Sequence, residues 1–396
     1  MPGRRMKALA GPLLAVLALA GLEVVARAVL VLFPAIGDPW SGGAAAPLNG
    51  DFVRQMEVDT GVVPERQRLY VRDRTLFWRL APNVDLQVEN SAFRVRDGPL
   101  RWTIHTDHRG FRSPAVPVER TGLRILTLGD SCTFGFRVND ADTYPARLMR
   151  ACAAHAPGGR VHVLDAGVPG YTSYQGRRLL PALLATYQPD VVTIAFGAND
   201  RERDPLSDAD RGARLDGTHG RVTYASSGLA LYRLMAAVVP RPAAPRARPL
   251  PERVDMAAFH TNVDEMIGFA TRASARVVLV DLVFLGPFYR DVLQELSARW
   301  NVPLLDGRAT LDGAFDRIVR DGAYREEAQA WLDFYHEHVV AVRPVYFDPD
   351  FYQRHYATDR QMQQFITLMA DPIHPNAIGH HVLADALAPL VCPATR

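Results

Sequence analysis

A few residues, scattered over more than two hundred and forty positions, are of the types that acyl-group chemistry needs. The stretch LTLGDSCTFGF, Leu126 to Phe136, runs apolar and then stops at Gly129-Asp130-Ser131, which leaves a serine hydroxyl at the end of a predicted strand. That hydroxyl is a poor nucleophile until a base takes its proton, and imidazole titrates in the right range to do so. The segment ADPIHPNAIGHHVLADALAPLV offers His374 as the base, with Asp371 three residues earlier to accept the other imidazole proton and fix the tautomer. A tetrahedral intermediate also needs preorganised donors for its oxyanion, each worth about 3–4 kcal/mol of barrier. The backbone N–H groups of Ser131 and Gly170 and the side-chain amide of Asn199 are the candidates, Gly170 lying in DAGVPGYTS and Asn199 in FGAND. Each piece alone is weak, because a small polar residue at a strand end often only caps the next helix. Their combination carries the argument.

The elements that must position these residues follow from the hydrophobic pattern. From Thr121 onward, LRILTLGD, VHVLDAG, VVTIAFGAND, RVVLVDLV and VPLLD are short apolar runs separated by segments of helical spacing such as TYPARLMRACAAHA and SYQGRRLLPALLATYQ. This alternation predicts a parallel sheet covered on both faces, with ligands gathering at the carboxyl ends of its strands. Gly129 is expected to permit a tight turn there. The last helix keeps Ile378, Val382, Leu383, Ala386, Leu387 and Leu390 on one face, and Asn376 is placed to cap it. Asp200 is expected to be structural, paired with Arg201 or Arg203, and His380 and His381 to lie on the helix surface rather than to form a metal site with His374.

Before the sheet, residues 36–120 read as a Pro/Gly-rich connector followed by strand-like pieces. FRVRDGPLRWTIHT alternates on either side of Asp97-Gly98, a hairpin signal. Trp78, Phe93, Trp102 and Phe111 either form a small core or dock this segment on the next domain. A long interruption, about 204–254, contains the Pro/Arg-rich PRPAAPRARPLPER and reads as an exposed excursion. The aromatics Trp331, Phe334, Tyr335, Tyr346, Phe347, Phe351, Tyr352 and Tyr356 suggest a lid packed on the domain or a surface for sugar stacking.

The blocks around Ser131, Gly170, Asn199 and His374, in this order and with Asp371 completing a triad, resemble the SGNH hydrolases, also called GDSL-type esterases and lipases. The resemblance covers residues 121–396 apart from the excursion. It implies a flavodoxin-like three-layer α/β/α sandwich with a five-stranded parallel sheet, and hydrolysis of esters without a metal or organic cofactor. Cys132 departs from the usual leucine or phenylalanine, and Asp165 from the asparagine common ahead of the glycine block, which puts in question how the turn at Gly170 is held. The alternative α/β-hydrolase arrangement has no support, since no G-x-S-x-G elbow occurs. In the implied fold the first and last helices lie side by side, so Cys152 can meet Cys392, while Cys132 packs as a small apolar residue.

The amino terminus places Arg4, Arg5 and Lys7 ahead of an apolar run from Ala8 to Leu22 that resumes, after Glu23 and Arg27, to Phe33. This is the pattern of a signal peptide cleaved after Ala26–Ala28 or of an uncleaved anchor over residues 1–35; the apolar continuation favours the anchor, with the bulk of the chain extracytoplasmic. A formal net charge of +2 gives no electrostatic footprint for nucleic acid. Lys7 is the only lysine, so none stands in the folded part to form a Schiff base or cradle phosphate, and Walker and GxGxxG patterns are absent. The sequence therefore points to a membrane-tethered serine esterase acting on acyl esters, O-acetyl groups first among them, of an envelope carbohydrate or lipid. An O-acyltransferase using the same triad, with a sugar hydroxyl in place of water, is the alternative.

Overall fold

The computed structural model describes residues 3–33, 69–89, 93–96, 100–112, 116–117, 120–155, 160–226, 228–238, 250–282, 289–342, 364, 367–371 and 373–392. The chain begins with α1 (Gly3–Leu32), followed by the short strands β1 (Tyr70–Asp73), β2 (Phe77–Leu80), β3 (Asp85–Glu89), β4 (Phe93–Val95) and β5 (Arg101–His105). The alternating part then runs β6 (Leu123–Gly129), α2 (Ser131–Phe134), α3 (Tyr144–His155), β7 (Val161–Gly167), α4 (Ser173–Tyr187) and β8 (Val191–Ala195). An insert carries α5 (Asp208–Asp216), α6 (Thr218–Ser226) and α7 (Ala230–Val238). The chain returns through α8 (Met256–Arg272), β9 (Arg276–Asp281), α9 (Arg290–Trp300), β10 (Leu304–Asp306), α10 (Gly307–Asp321), α11 (Arg325–His338) and β11 (Val339–Val342), and ends in α12 (Ala377–Val391).

The sheet has five strands in the order β10-β9-β8-β6-β7, every pairing parallel, as the hydrophobic runs predict. Its inner strands β9, β8 and β6 are buried on both sides, and alternation sends the residues of the sheet to two cores. Leu126, Leu128, Leu164, Ala166, Val192, Ile194, Val277 and Leu279 pack under α4 and α8, whereas Ile125, Val163, Val191, Val278 and Val280 pack against α3, α10 and α12. These layers make the α/β/α sandwich. On the second face Cys152 of α3 is bonded to Cys392 just past α12, with the Cα atoms 5.4 Å apart. Cys132 is buried as a free thiol.

The described residues of the segment before the sheet do not build a core of their own. Tyr70, Phe77, Trp78, Val88, Trp102 and Ile104 are buried in the same cluster as the α4 face of the sheet. The hairpin expected about Asp97-Gly98 does not form: β5 pairs with β3 and β4 pairs with β11, both antiparallel, while residues 97–99 lie outside the described residues. Burial decides the pairing. Trp102 and Ile104 face the main core opposite Val88 and Leu86, and that long-range packing outweighs a local turn signal.

The excursion is likewise more ordered than its composition suggests. Its Pro/Arg-rich run, residues 239–249, lies outside the described residues, but the stretch before it forms α5, α6 and α7. Within α1, Leu14–Leu32 is long and apolar enough to cross a membrane. Ala26 and Leu30 of α1 pack on Ala230 of α7, and the Glu23 carboxylate accepts the N–H groups of Ala230 and Leu231 at the start of α7.

Candidate active site

β6 delivers Ser131 to the carboxyl edge of the sheet. Asp130 caps the short α2 by accepting the Cys132 N–H at 2.9 Å, and Ser131 opens the helix. The role of Gly129 differs from the expected tight turn. Its φ is not left-handed; instead a Cβ there would collide with Thr133 and the Ala195 carbonyl, and one at Gly167 with the backbone of Phe134. The two glycines sit opposite each other on β6 and β7 and let α2 settle directly on the strand ends.

The base arrives on the loop before α12. Nε2 of His374 lies 2.8 Å from the Ser131 hydroxyl, and its Nδ1 lies 2.8 Å from each carboxylate oxygen of Asp371. Asp371 Oδ1 also accepts the N–H groups of Ile373 and His374, and its Oδ2 accepts Nε of Arg137 at 2.8 Å. Asn376 caps α12 through Ile378 and Gly379 and donates its amide to the Thr367 carbonyl, pinning the loop at both ends. Burial raises the Asp371 carboxyl, but His374, Arg137 and the Ile373 N–H outweigh it and hold the acid well below the usual carboxylate range. Asp371 is therefore ionised, as an orienting carboxylate must be.

The remaining candidates stand at the same edge. Gly170 has φ +79°, a left-handed conformation glycine adopts without strain, and its carbonyl accepts Nη1 of Arg253 at 2.9 Å. Asn199 donates its amide to the Tyr171 carbonyl at 2.9 Å, and the same nitrogen stands 3.5 Å from Asp130 Oδ2. Burial pushes the Asp130 carboxyl up to about 6, against the Cys132 N–H and the nearby His374. Asp165 holds the N–H of Gly167 at 2.9 Å rather than the turn at Gly170.

Two expectations around the site are corrected. Asp200 pairs with neither Arg201 nor Arg203; it is buried and accepts both the hydroxyl and the N–H of Ser173, fixing the start of α4, and burial raises its carboxyl to about 7. His380 is not on the surface. It is buried, with Nδ1 accepting the Tyr144 N–H, whereas the half-buried His381 pairs with Glu327. Trp331 and Phe334 stack at 5.7 Å, while the side chain of Tyr335 and residues 343–363, with the other aromatics of the suggested lid, lie outside the described residues.

Sequence reasoning missed the bracing groups. Trp78 donates its indole N–H to the Pro169 carbonyl and accepts the Tyr171 hydroxyl at its own carbonyl, so the segment before the sheet grips the Gly170 turn. Arg253, buried at the end of the insert, binds Asp208, Glu202 and the Gly170 carbonyl together. Nothing in a chain whose basic residues are nearly all arginine marks these few as internal.

The GDSL-like lipase/acylhydrolase family model matches residues 127–382, well over half of the chain. The chain belongs to that family. Among curated proteins, an arylesterase of Vibrio mimicus is 36% identical over 77 residues, 19% of this chain and 38% of that protein. The thioesterase 1/protease 1/lysophospholipase L1 of Escherichia coli is 37% identical over 76 residues, 19% of this chain and 34% of that protein. The chain thus matches little more than a third of the length of these curated relatives. Among solved structures, the lipase/acylhydrolase of Enterococcus faecalis aligns at 17% identity over 69% of this chain and 99% of its own, with a TM-score of 0.36. The acetylxylan esterase Axe2 of Geobacillus stearothermophilus aligns at 14% identity over 69% and 96%, with a TM-score of 0.35.

Proposed function

We propose that this chain is a serine ester hydrolase in which Ser131 is the nucleophile, His374 the general base and Asp371 its orienting carboxylate. The observation that carries the reading is the unbroken line of contacts from the Ser131 hydroxyl through both nitrogens of His374 to Asp371. His374 takes the serine proton as Oγ attacks the acyl carbon, and returns it to the leaving alkoxide. Water then attacks the acyl-serine by the same route in reverse. The N–H groups of Ser131 and Gly170 and the amide of Asn199 stabilise the oxyanion of both tetrahedral intermediates. The side chains of His374 and Asp371 are 12% and 3% exposed, so the base keeps slight access to solvent while its carboxylate partner stays shielded from water.

The substrate we assign is a small acyl ester, O-acetyl above all, carried by a carbohydrate or lipid outside the cytoplasm. The extracytoplasmic placement is part of the same reading: residues 1–35 would form a membrane anchor, since the Leu14–Leu32 stretch spans about 28 Å at 1.5 Å per residue. Residues 36–120 would serve as an accessory segment and residues 121–396 as the hydrolase domain. The test is a series of acyl esters from acetyl upward, given to the wild type and to Ser131→Ala, with added sugar as a competing acceptor. Release of acid into water by the wild type alone is the expected result. Acyl transfer to the sugar in preference to water would make the protein a transferase, and labelling of Ser131→Ala by a fluorophosphonate would remove the nucleophile assignment.

A further inference from the structure

The loop that follows the nucleophile helix turns back onto the acid and the base. Arg137 is wholly buried and reaches Asp371 Oδ2, while Asp371 Oδ1 is already held by the two backbone N–H groups of its own turn. One carboxylate oxygen is thus fixed by the loop before α12 and the other from across the site. Phe136, next to Arg137, lays its ring 4.7 Å from the imidazole of His374, and the Arg137 guanidinium sits 5.1 Å from the centre of that same ring. The backbone of Arg137 has φ +71°, a region that side-chain-bearing residues seldom occupy and that persists where the surroundings enforce it.

What enforces it comes from the accessory segment. Arg112, also buried, donates Nη1 to the carbonyls of Phe134 and Gly135, Nη2 to those of Val138 and Thr103, and Nε to Asp140. Three of these carbonyls lie in the few residues that carry Phe136 and Arg137. The planar, five-donor guanidinium is the one side chain able to satisfy so many acceptors in fixed directions.

We infer that Arg137 is a positioning residue for the reaction, setting the carboxylate and imidazole in line with Ser131, and that the accessory segment holds it in place through Arg112. The inference rests on the triad assignment proposed above. It gives residues 69–112 a part in catalysis without contact with the substrate. It also has an electrostatic cost with a definite sign. A guanidinium on Asp371 draws the carboxylate's charge away from the imidazolium that forms as Ser131 attacks. A neutral replacement leaves that charge to His374 and favours its protonated form, so the acid limb of the rate profile moves to higher pH. The other ionisable groups set against this pair, Asp130 and Cys132 at the nucleophile turn and His380 on α12, are unchanged by the substitution.

The experiment uses the full chain and p-nitrophenyl acetate, with kcat and KM measured across pH for wild type, Arg137→Gly, Arg137→Met, Arg137→Lys and Arg112→Met. Arg137→Gly suits the left-handed backbone, so it keeps the loop foldable while removing the guanidinium. Arg137→Gly and Arg137→Met are expected to lose about 10- to 100-fold in kcat, the scale on which small misplacements of reacting groups act, with KM little changed and the acid limb raised. Arg137→Lys, or guanidinium added to Arg137→Gly, restores part of kcat, and Arg112→Met lowers kcat in the same sense. A folded Arg137→Gly with wild-type kcat and an unmoved limb overturns the inference, and so does a loss that neither lysine nor added guanidinium relieves, which marks a purely structural ion pair. If Ser131→Ala turns over the ester as fast as wild type, the triad reading itself falls, and this inference with it.

Discussion

The backbone N–H of Tyr144, at the start of α3, donates to Nδ1 of His380 on α12 at 3.0 Å. The bond requires the imidazole to be neutral at Nδ1, and burial, with Arg112 and Arg147 nearby, lowers its pKa to about 3. Folding therefore favours the neutral ring while the unfolded chain takes up a proton below about pH 6.5. The contribution of His380 is fully present above that pH and is lost as pH falls toward 3. Asp130 and Asp200 act the other way, since their raised carboxyls take up protons in the folded state first. The clean measurement is consequently a difference. The stability advantage of wild type over His380→Phe should shrink by about 1.4 kcal/mol per pH unit below pH 6.5 in denaturant titrations. A pH-independent difference would mean that the ring titrates freely in the fold.

The Cys152–Cys392 bond closes a loop of 240 positions and ties the first helix of the sandwich to the last. Removing such a link costs about 2–5 kcal/mol, chiefly through the freedom regained by the unfolded chain. Cys152→Ala with Cys392→Ala should melt well below wild type, while unfolding of the double variant should become insensitive to reductant. The unreduced, denatured wild type should titrate a single thiol, that of Cys132.

Gly167 faces α2 so closely that a methyl group there would meet the Phe134 backbone. Gly167→Ala should cost about 1–3 kcal/mol, as overpacking of a filled site does. Because the displaced element carries Ser131, activity should fall further than stability. Assay and melting of the variant together check this, and an alanine tolerated with full activity would show that α2 has room to shift.

The sheet and the candidate residues gathered at its carboxyl edge were legible because each leaves a local mark. Apolar runs such as VVTIA announce a buried strand; Ser131, Gly170 and Asn199 each sit in a short block after one, and Asp371 and His374 sit just before the last helix. The supports were not legible, since they depend on where distant backbone lies. Arg112, Arg137 and Arg253 look like any other arginine until the carbonyls and carboxylates they satisfy are in place. The Asp97-Gly98 signal misled for the same reason: a turn preference is local, while the burial of Trp102 beside Phe134 and Phe136 is not.

Asn199 joins two demands in one amide. Its nitrogen gives a hydrogen bond to the Tyr171 carbonyl, which fixes the turn after β7, and stands 3.5 Å from Asp130 Oδ2; in the proposed reaction its second N–H would turn to the oxyanion. Asn199→Ala should therefore lower kcat by about 100- to 1,000-fold, the usual effect of losing one such donor, with KM nearly unchanged. The structural share of that loss can be measured separately. Tyr171→Phe removes the hydroxyl bond to Trp78 that braces the same turn from its other side, and leaves the Asn199 amide intact. If the amide acts on the transition state, Tyr171→Phe loses stability with only a small fall in kcat, and Asn199→Ala does the reverse. Equal falls in kcat for the two variants would assign Asn199 to holding the turn, and leave the oxyanion to the backbone N–H groups of Ser131 and Gly170.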